Sequence, residues 1–237
     1  MARVTKEEDY FARRNEILDA AQRLIQTRGY EQMTIQDLLN ELKISKGAFY
    51  HYFDSKAELL EALIDRILAE MDRLLKPIVQ DFSMPALDKL RLFFDISSRW
   101  KSAHRDYMIE ILKVWYQDDN AVFRQKIFTK GLKWISPYLT EITLQGVREG
   151  ILNVQHPEHV GEIIFSLSNG LGEAMAQLIL EPGSDQDNVR CLHELITTYS
   201  DAIERILGAP QGSLPLVDPE ELQMWFNPVS NGLSDKN

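Results

Sequence analysis

The stretch from Thr34 to Lys56 constrains the fold of this 237-residue chain most strongly, because several helix starts follow one another within it. Thr34 is a helix-capping residue with an acidic residue, Asp37, three positions later, and Ser45 is placed to cap a second helix after a short turn. That second helix is one to two turns long, so packing has to hold it in place. Two helices about a short turn predict a helix-turn-helix, whose second helix enters a DNA major groove.

The second helix of this motif has an inner and an outer face. Phe49 and Phe53 lie four residues apart and can face a core together. The residues left facing outward are small, hydroxyl-bearing or cationic: Lys46, Gly47, Ala48, Tyr50 and Tyr52. A lysine can bind a guanine edge or a phosphate, an alanine methyl can contact a thymine methyl, and tyrosine hydroxyls can donate to phosphates.

The same stretch matches a known family pattern in fixed register, at Thr34, Ile35, Leu38, Ile44, Ser45, Gly47, Tyr50, Tyr52, Phe53, Ser55 and Lys56. At these residues the chain resembles the tetracycline-repressor (TetR) family of bacterial transcriptional regulators. The resemblance covers residues 10–70 and implies DNA contact by Lys46, Gly47, Ala48, Tyr50, Tyr52 and Lys56. The chemistry of their neighbours adds Thr34, Gln36, Ser45 and His51 as DNA-binding candidates, with His51 facing either phosphate or solvent.

Three residues depart from the family pattern. Leu39 and Leu42 stand where the family usually has alanine, which predicts slightly wider spacing between the helices. Lys43 stands where the family usually has glycine. It is therefore expected to adopt a left-handed backbone, at a cost of about 1 kcal/mol relative to glycine.

The charge is unusual for a DNA-binding protein. The formal net charge is −10, but residues 1–60 hold nine basic and ten acidic side chains and are close to neutral. An acidic remainder should weaken binding that does not depend on sequence, which suits a specific regulator. A single cysteine, Cys191, and the lack of a signal-peptide pattern predict a cytoplasmic protein. The longest apolar stretch, from Ile163 to Leu180, is interrupted by polar residues and predicts a buried helix instead of a membrane span.

Helical spacing continues through the rest of the chain and predicts an all-α protein. The first helix is expected from Glu8 to Arg28, after disordered residues 1–7, and the fourth from Ser55 to Lys76. Helices are further predicted at 86–101, 105–117, 121–149, 157–180 and 186–207, and the breaks at 83–85, 118–120, 149–150, 156–157 and 181–183 carry proline, glycine or asparagine. The predicted domains are an N-terminal three-helix helix-turn-helix DNA-binding domain at 8–55 (motif 34–53), a C-terminal helical ligand-binding and dimerisation domain at 56–208, and a linker and tail at 209–237 with a short helix near 218–226.

The last two helices of the body are predicted to form a homodimer. Their apolar stripes include Ile164, Leu167, Leu171, Met175, Leu192, Leu195, Ile196, Tyr199 and Ile203, with small residues alongside. The resemblance implies a four-helix bundle made by these helices from two subunits. Twofold symmetry would let two short recognition helices reach successive major grooves about 34 Å apart. The alternative is that both stripes only close the core of the monomer.

The body is also rich in aromatic residues, and the resemblance implies an effector pocket enclosed by helices 5 to 7. Residues that recur at three- to four-residue intervals over two helices are the predicted lining: Ser97, Trp100, His104, Tyr107, Met108, Ile111 and Trp115. They favour a small apolar or aromatic effector. The alternative is that each is an ordinary core residue.

No phosphate-binding loop or catalytic constellation is present in the sequence, so an enzyme and a bound cofactor are not expected. His156 and His159 are three residues apart, but no third ligand lies near them and no metal site is predicted. The predicted function is a sequence-specific transcriptional regulator that binds a palindromic operator in double-stranded DNA. The resemblance implies a homodimeric repressor, released when a small molecule tilts helix 4. The alternative is a ligand-independent DNA-organising or protein-interaction module.

Overall fold

A computed structural model describes residues 2–116, 121–180, 185–218 and 225, with side chains left out at 2–7, 122–123 and 185–186. The regular secondary structure of these ranges is helical and contains no strand, which confirms the all-α prediction. The helices are α1 (Ala2–Arg28), α2 (Ile35–Leu42), α3 (Lys46–Tyr50), α4 (Lys56–Val79), α5 (Ala86–Ala103), α6 (Arg105–Trp115), α7 (Ala121–Arg148), α8 (Pro157–Leu180) and α9 (Asp185–Leu207).

The start of the first helix and the end of the fourth helix differ from the prediction. The first helix begins at Ala2, so residues 2–7 are helical and not disordered. The fourth helix continues past Pro77 to Val79. Its last carbonyl, that of Val79, accepts a hydrogen bond of 2.7 Å from the buried ammonium of Lys89 in α5. A cation at a helix C-terminus stabilises the exposed carbonyl end of the helix dipole.

The chain packs as two compact units, of which the first comprises Met1–Leu74 and Asp106–Lys126. Its core is formed by apolar residues of α1, α2 and α4, among them Ile17, Leu38 and Leu63, each at most 1% exposed. Arg66 of α4 joins α4 to α1, because its guanidinium donates to the carboxylate of Asp19 at 2.5 Å and to the side chain of Gln22.

The turn between α2 and α3 depends on Lys43. This residue has a φ of 52° and a ψ of 44°, the left-handed conformation that the sequence predicted. Its N–H bonds the carbonyl of Leu39, and so does the N–H of Ile44 at 3.1 Å. Both bonds go to the Leu39 carbonyl near the end of α2, as is usual for a helix that ends in a left-handed residue.

Replacing Lys43 with glycine should stabilise the protein by about 1 kcal/mol, because glycine adopts this conformation without the steric cost of a β-carbon. For a chain of this length the melting temperature should rise by about 2–4 °C in calorimetry. Lys43→Ala is the matched control, since it removes the same side chain but keeps the β-carbon. An alanine variant as stable as the glycine variant would show that the lysine side chain, and not the backbone, carries the cost.

The second unit comprises Leu75–Arg105 and Ile127–Asn237 and holds α5, most of α7, α8 and α9. Helices α7 and α8 approach closely at Gly161, where an added β-carbon would lie 2.1 Å from the carbonyl oxygen of Ser136. The close approach at Gly161 therefore serves packing inside the protomer.

Residues 209–217, predicted to be a linker, are packed onto the second unit. Leu214 is fully buried and Leu216 is 5% exposed. The Pro-Gln-Gly-Ser sequence is typical of a linker, but the two leucines after it supply apolar surface that water disfavours. The predicted short helix near 218–226 lies outside the described residues, apart from Asp218 and Trp225.

Polar contacts hold the same segment. The carboxylate of Glu204, which is 3% exposed, accepts hydrogen bonds from the backbone N–H of Gly212 at 2.8 Å and of Leu214 at 2.7 Å. Arg91 of α5 donates from its Nε to the carbonyl of Ser213 at 2.7 Å. Two backbone donors and one carboxylate make charge-assisted hydrogen bonds, which are stronger than neutral ones.

Trp225 anchors the tail further along α5. Its side chain is 7% exposed, and its Nε1 donates to the Ser102 hydroxyl at 3.2 Å. The carbonyl of Trp225 accepts a 3.0 Å hydrogen bond from Arg105. The tail therefore meets the early part of α5 at Arg91, the last turn of α5 at Ser102 and the first residue of α6 at Arg105.

Helix α8 is the one helix of the described residues that is long and apolar enough to cross a membrane by length and composition, although helices of soluble proteins meet the same test. In the most apolar 18-residue window of α8, 17% is buried inside the protomer. Several residues of the predicted dimer surface nevertheless lie inside the protomer: Ile164, Leu192 and Ile203 are fully buried, and Leu171 and Ile196 are 5% and 6% exposed. Leu167, Met175, Leu195 and Tyr199 are half-buried.

Candidate nucleic-acid interface

The first helix of the motif, α2, is fixed by a reciprocal cap at Thr34. The Thr34 hydroxyl oxygen accepts from the Asp37 N–H at 3.1 Å, and the Asp37 carboxylate accepts from the Thr34 N–H at 2.8 Å. The same hydroxyl donates to the carboxylate at 2.6 Å. These hydrogen bonds from Thr34, with Arg28 nearby, lower the pKa of Asp37. Because the hydroxyl hydrogen is engaged in the cap, Thr34 would have to release Asp37 in order to donate to a phosphate.

Helix α3 is five residues long and is held by one buried side and one cap. Phe49 and Phe53 are 0% and 1% exposed, with ring centroids 5.9 Å apart, as the four-residue spacing predicted. The Ser45 hydroxyl accepts from the N–H of Ala48 at 3.1 Å and caps the helix. Since a helix of this length is unstable alone, these contacts set its orientation.

The outward side of α3 carries most of the predicted DNA-binding residues. Lys46, Gly47, Tyr50 and His51 are exposed, and Ala48 and Tyr52 are half-buried. Tyr50 is 41% exposed, and the Lys46 ammonium lies 5.8 Å from the centre of its ring. Gln36 on α2 is exposed and donates to Asn40 at 2.9 Å. A cation, a small residue and phenol groups therefore share one accessible surface.

Gly47 leaves open space on that surface. A β-carbon added there would find its nearest neighbour, the Ser45 hydroxyl, at 4.0 Å, and the backbone is not in the left-handed region. Neither the packing of the protein nor its backbone geometry requires a glycine at this position. A side chain here would instead occupy space in front of α3, where an external partner would approach.

Lys56 begins α4 and is held by the loop that follows α1. Its ammonium lies 4.1 Å from the centre of the Tyr30 ring and donates to the carbonyl of Glu31 at 3.3 Å. Burial lowers the pKa of Lys56, and it raises that of Tyr30 to about 12. The ammonium has three donors, so a phosphate contact remains compatible with this anchoring role.

Two residues of α1 contact the end of the recognition helix and were not predicted from the sequence. The Tyr10 ring lies 4.9 Å from that of Tyr52 and 5.6 Å from that of His51. One helical turn later, the Arg14 guanidinium lies 4.8 Å from the centre of the Phe53 ring. Contacts between residues some forty positions apart leave no local pattern, although Tyr10 is conspicuous as an aromatic residue in a highly charged segment.

The predicted effector residues fall on α5 and α6, in different units. On α5, Trp100 is 9% exposed and stacks on His104 at 4.3 Å, and the His104 Nδ1 bonds the Trp100 carbonyl at 2.8 Å. That carbonyl can only accept, so the Nδ1 carries the hydrogen. Ser97 is half-buried and donates to the Phe93 carbonyl at 2.7 Å.

On α6, Tyr107 and Ile111 are 2% and 5% exposed, and Met108 and Trp115 are half-buried. Burial raises the pKa of Tyr107 to about 12. Among the described residues, the Tyr107 hydroxyl and the Trp100 indole N–H are buried polar groups for which the protein supplies no hydrogen-bond partner. Such groups are uncommon in native proteins and call for a physical reason.

The histidine pair of the metal hypothesis lies on the surface. His156 and His159 both approach the Glu158 carboxylate, at 3.7 and 3.9 Å. No group of three potential metal-binding side chains occurs within the part of the chain that the structure describes.

Two family models match this chain. The model for bacterial regulatory proteins of the tetR family matches residues 17–63, and the tetracyclin repressor-like C-terminal domain matches residues 104–175. The chain is similar to the probable HTH-type transcriptional regulator ArpR of Pseudomonas putida, with 30% identity over 178 residues, 72% of this chain and 83% of that protein. Similarity to the regulator AcuR of Cereibacter sphaeroides is 34% over 77 residues, 32% of this chain and 35% of AcuR.

Solved structures share the fold. A TetR regulator from Haloarcula marismortui superposes with a TM-score of 0.61 at 22% identity, covering 80% of this chain and 96% of that one. Reduced NemR of E. coli superposes with a TM-score of 0.54 at 17% identity, covering 83% and 98%. Across several of the curated relatives, including AcuR and TtgR of Pseudomonas putida, the chain spans about a third of their length. The match to ArpR nevertheless spans most of both proteins. The helix-turn-helix lies inside the region that the first family model matches, and the second model matches residues further along the chain. The chain therefore belongs to the TetR family of bacterial transcriptional regulators, which bind DNA and are not enzymes.

Proposed function

We propose that this protein is a cytoplasmic, homodimeric repressor that binds a palindromic operator through α3 and leaves it when a small apolar or aromatic ligand binds. The observation that supports operator reading is the two-sided character of α3. Its Phe49 is buried, while Lys46, Gly47 and Tyr50 are accessible. A buried side fixes the helix and an open side can contact bases and phosphates.

The homodimer is supported by uncovered apolar surface on α8 and α9. On α8, Ile163 is 46% exposed, and the half-buried Leu167, Ala174 and Leu178 follow it at helical spacing. On α9, Leu195, Tyr199, Ala202 and Ile206 are half-buried and form a second stripe. A neighbouring stripe on each helix is fully buried. The protomer therefore uses one stripe of each helix for its own core and leaves the other for a second copy.

Ligand binding is supported by buried polar groups in the helical domain. The Trp100 indole N–H and the Tyr107 hydroxyl lack hydrogen-bond partners within the described residues. Whichever of these groups a ligand reaches would gain a bond of about 1 kcal/mol from an acceptor on that ligand. The stacked rings of Trp100 and His104 favour an aromatic ligand, since aromatic groups stack well on one another.

Release from DNA requires the ligand to bind the DNA-free conformation more tightly than the DNA-bound one. Helix α4 is continuous from Lys56 to Val79, so a shift at its C-terminal end would be carried to its N-terminal end. That N-terminal end follows the recognition helix directly. A small tilt of α4 in each subunit would change the separation of the two recognition helices and lower operator affinity.

Selection of bound DNA from a random pool, at near-physiological salt, tests operator reading. A palindrome with two half-sites about 34 Å apart is expected. Enrichment of no sequence, in the presence and absence of cell extract, would favour the alternative of a DNA-organising or protein-interaction module.

Replacing Gly47 with alanine should maintain or raise the stability of the protein and should weaken its binding to DNA. Alanine favours the helix by up to about 1 kcal/mol and meets no other protein atom closely, so the melting temperature should not fall. At the surface facing DNA the extra methyl group should collide with the operator, weakening affinity by about tenfold. Fluorescence titration with the selected operator measures the second effect.

Gly172→Ala is the matched control for this variant. Gly172 is an exposed helical glycine on α8, and an added β-carbon would meet nothing within 4 Å. It should gain stability in the same way and bind the operator as the wild type does. Wild-type operator affinity in Gly47→Ala would place the DNA contact elsewhere on the protein.

A further inference from the structure

We propose that Tyr10 of α1 is a positioning residue for DNA reading: its ring fixes the end of the recognition helix from outside, and operator affinity depends on that contact. The inference rests on the proposed function, and it adds a residue that lies outside the helix-turn-helix. The proposal is based on a cluster of three rings, those of Tyr10, His51 and Tyr52, whose centroids lie 4.9 to 5.6 Å apart.

The cluster lies where the recognition helix needs support. Helix α3 ends at Tyr50, and His51 is its C-terminal cap. The N–H groups of His51, Tyr52 and Phe53 bond the carbonyls of Gly47 and Phe49, so this segment continues the helical turn. A five-residue helix has too few internal bonds to hold its own direction. Its orientation is therefore set by what contacts its two ends.

The contacts come from two sides. From inside, Phe49 and Phe53 are buried in the core. From outside, Tyr10 packs on His51 and Tyr52, while Arg14, on the same face of α1, lies over the Phe53 ring. The inner contacts resist removal of the helix from the domain. The Tyr10 ring, which touches the two residues after α3, resists rotation of the exposed surface that carries Tyr50 and Tyr52.

The ring and not the hydroxyl of Tyr10 makes these contacts. The distances join ring centroids, with planes tilted by 37° against Tyr52 and 84° against His51. The edge-to-face arrangement against His51 is one that aromatic pairs prefer, and the tilted Tyr52 ring still packs at contact distance. Tyr10→Phe should therefore behave like the wild type, whereas Tyr10→Ala should not.

The experiment compares Tyr10→Ala, Tyr10→Phe and Phe11→Ala by two measurements. Phe11 is the control because its 55% exposed ring packs edge-to-face on Tyr10 at 5.7 Å, so Phe11→Ala removes a ring from the same segment but leaves Tyr10 on His51 and Tyr52. Hydrogen exchange at residues 46–56 reports the recognition segment without DNA. Titration with the selected operator and with unrelated DNA gives the ratio of specific to non-specific affinity. None of the variants alters the net charge, so their electrostatic attraction to DNA should stay the same.

In Tyr10→Ala, amide exchange at residues 46–56 should quicken by about tenfold while the core of α1 stays protected. Operator affinity should fall by about tenfold, with affinity for unrelated DNA unchanged. The other two variants should match the wild type in both measurements. Unchanged exchange in Tyr10→Ala, or equal losses in Phe11→Ala or Tyr10→Phe, would overturn the positioning role.

The two measurements separate this proposal from the proposed function. Should the wild type bind no specific DNA, operator reading fails, while hydrogen exchange still decides whether Tyr10 holds α3. Should the wild type bind its operator and Tyr10→Ala bind it equally well, operator reading stands and the role of Tyr10 is refuted. Loss of global stability in Tyr10→Ala, seen as a lower melting temperature than in Phe11→Ala, would likewise count against a role in positioning alone.

Discussion

A Leu167→Glu/Leu195→Glu double variant is expected to sediment as a folded monomer at concentrations where the wild type is a dimer. Both leucines are half-buried and lie on the stripes of α8 and α9 that the protomer leaves uncovered. A carboxylate at each position can face water in the monomer. In a dimer it would be buried without a partner, at a cost of about 3–5 kcal/mol per group, so the dimer should weaken by at least 100-fold.

Operator binding should fall with the dimer. Two linked half-site contacts gain from a high effective concentration of the second recognition helix, and this gain is typically 10²- to 10⁴-fold. The monomer should therefore bind the palindrome about as weakly as a single half-site. Analytical ultracentrifugation and titration with full and half operators measure the two effects on the same samples.

The control variant is Gly172→Glu/Thr197→Glu, which adds the same two charges to the same two helices. Gly172 and Thr197 are exposed, and helical spacing puts each on the side of its helix opposite the half-buried stripe. This variant should remain a dimer and keep its affinity for the full operator. A dimer that persists in the Leu167→Glu/Leu195→Glu variant would refute the interface, provided that circular dichroism shows the helices to be intact.

The choice of these leucines shows what the sequence pattern resolves and what it does not. Hydrophobic spacing correctly marks α8 and α9 as strongly apolar. Two stripes lie side by side on each helix, however, and a single sequence does not tell which one faces the protomer core. Leu171 is 5% exposed, so a glutamate there would unfold the protomer instead of separating two subunits. Burial in the folded chain assigns Leu167 and Leu195 to the outer stripe.

Two helix boundaries in the body were predicted more closely, because proline, glycine or asparagine stands at the breaks beside them. The helix predicted at 157–180 has these limits in the structure, and that predicted at 121–149 ends one residue earlier. The prediction for the N-terminus was wrong: residues 1–7 were expected to be a frayed, disordered end, but α1 begins at Ala2. The Tyr10 contacts lie beyond any local pattern because they join α1 to residues that packing alone brings near.

Ending the chain after Gly208 is expected to lower the melting temperature by about 6–12 °C, corresponding to roughly 3 kcal/mol. The truncation removes Leu214, Leu216 and Trp225, each at most 7% exposed, and each buried side chain contributes about 1.5–3 kcal/mol before the cost of ordering the tail is subtracted. Differential scanning calorimetry measures the loss. A chain ended after Asp218 keeps both leucines and should lose less.

The buried carboxylate of Glu204 provides a test of the mechanism of this loss. In the full chain, Glu204→Gln replaces one acceptor oxygen by an NH₂ group that faces a backbone donor, so it should cost about 2 kcal/mol. In the chain ended after Gly208 the two N–H partners are gone, and the same substitution should cost almost nothing. The difference between the two costs is the coupling between Glu204 and the tail. Equal costs in both chains would mean that Glu204 stabilises α9 by itself and that the tail is held by its apolar side chains alone.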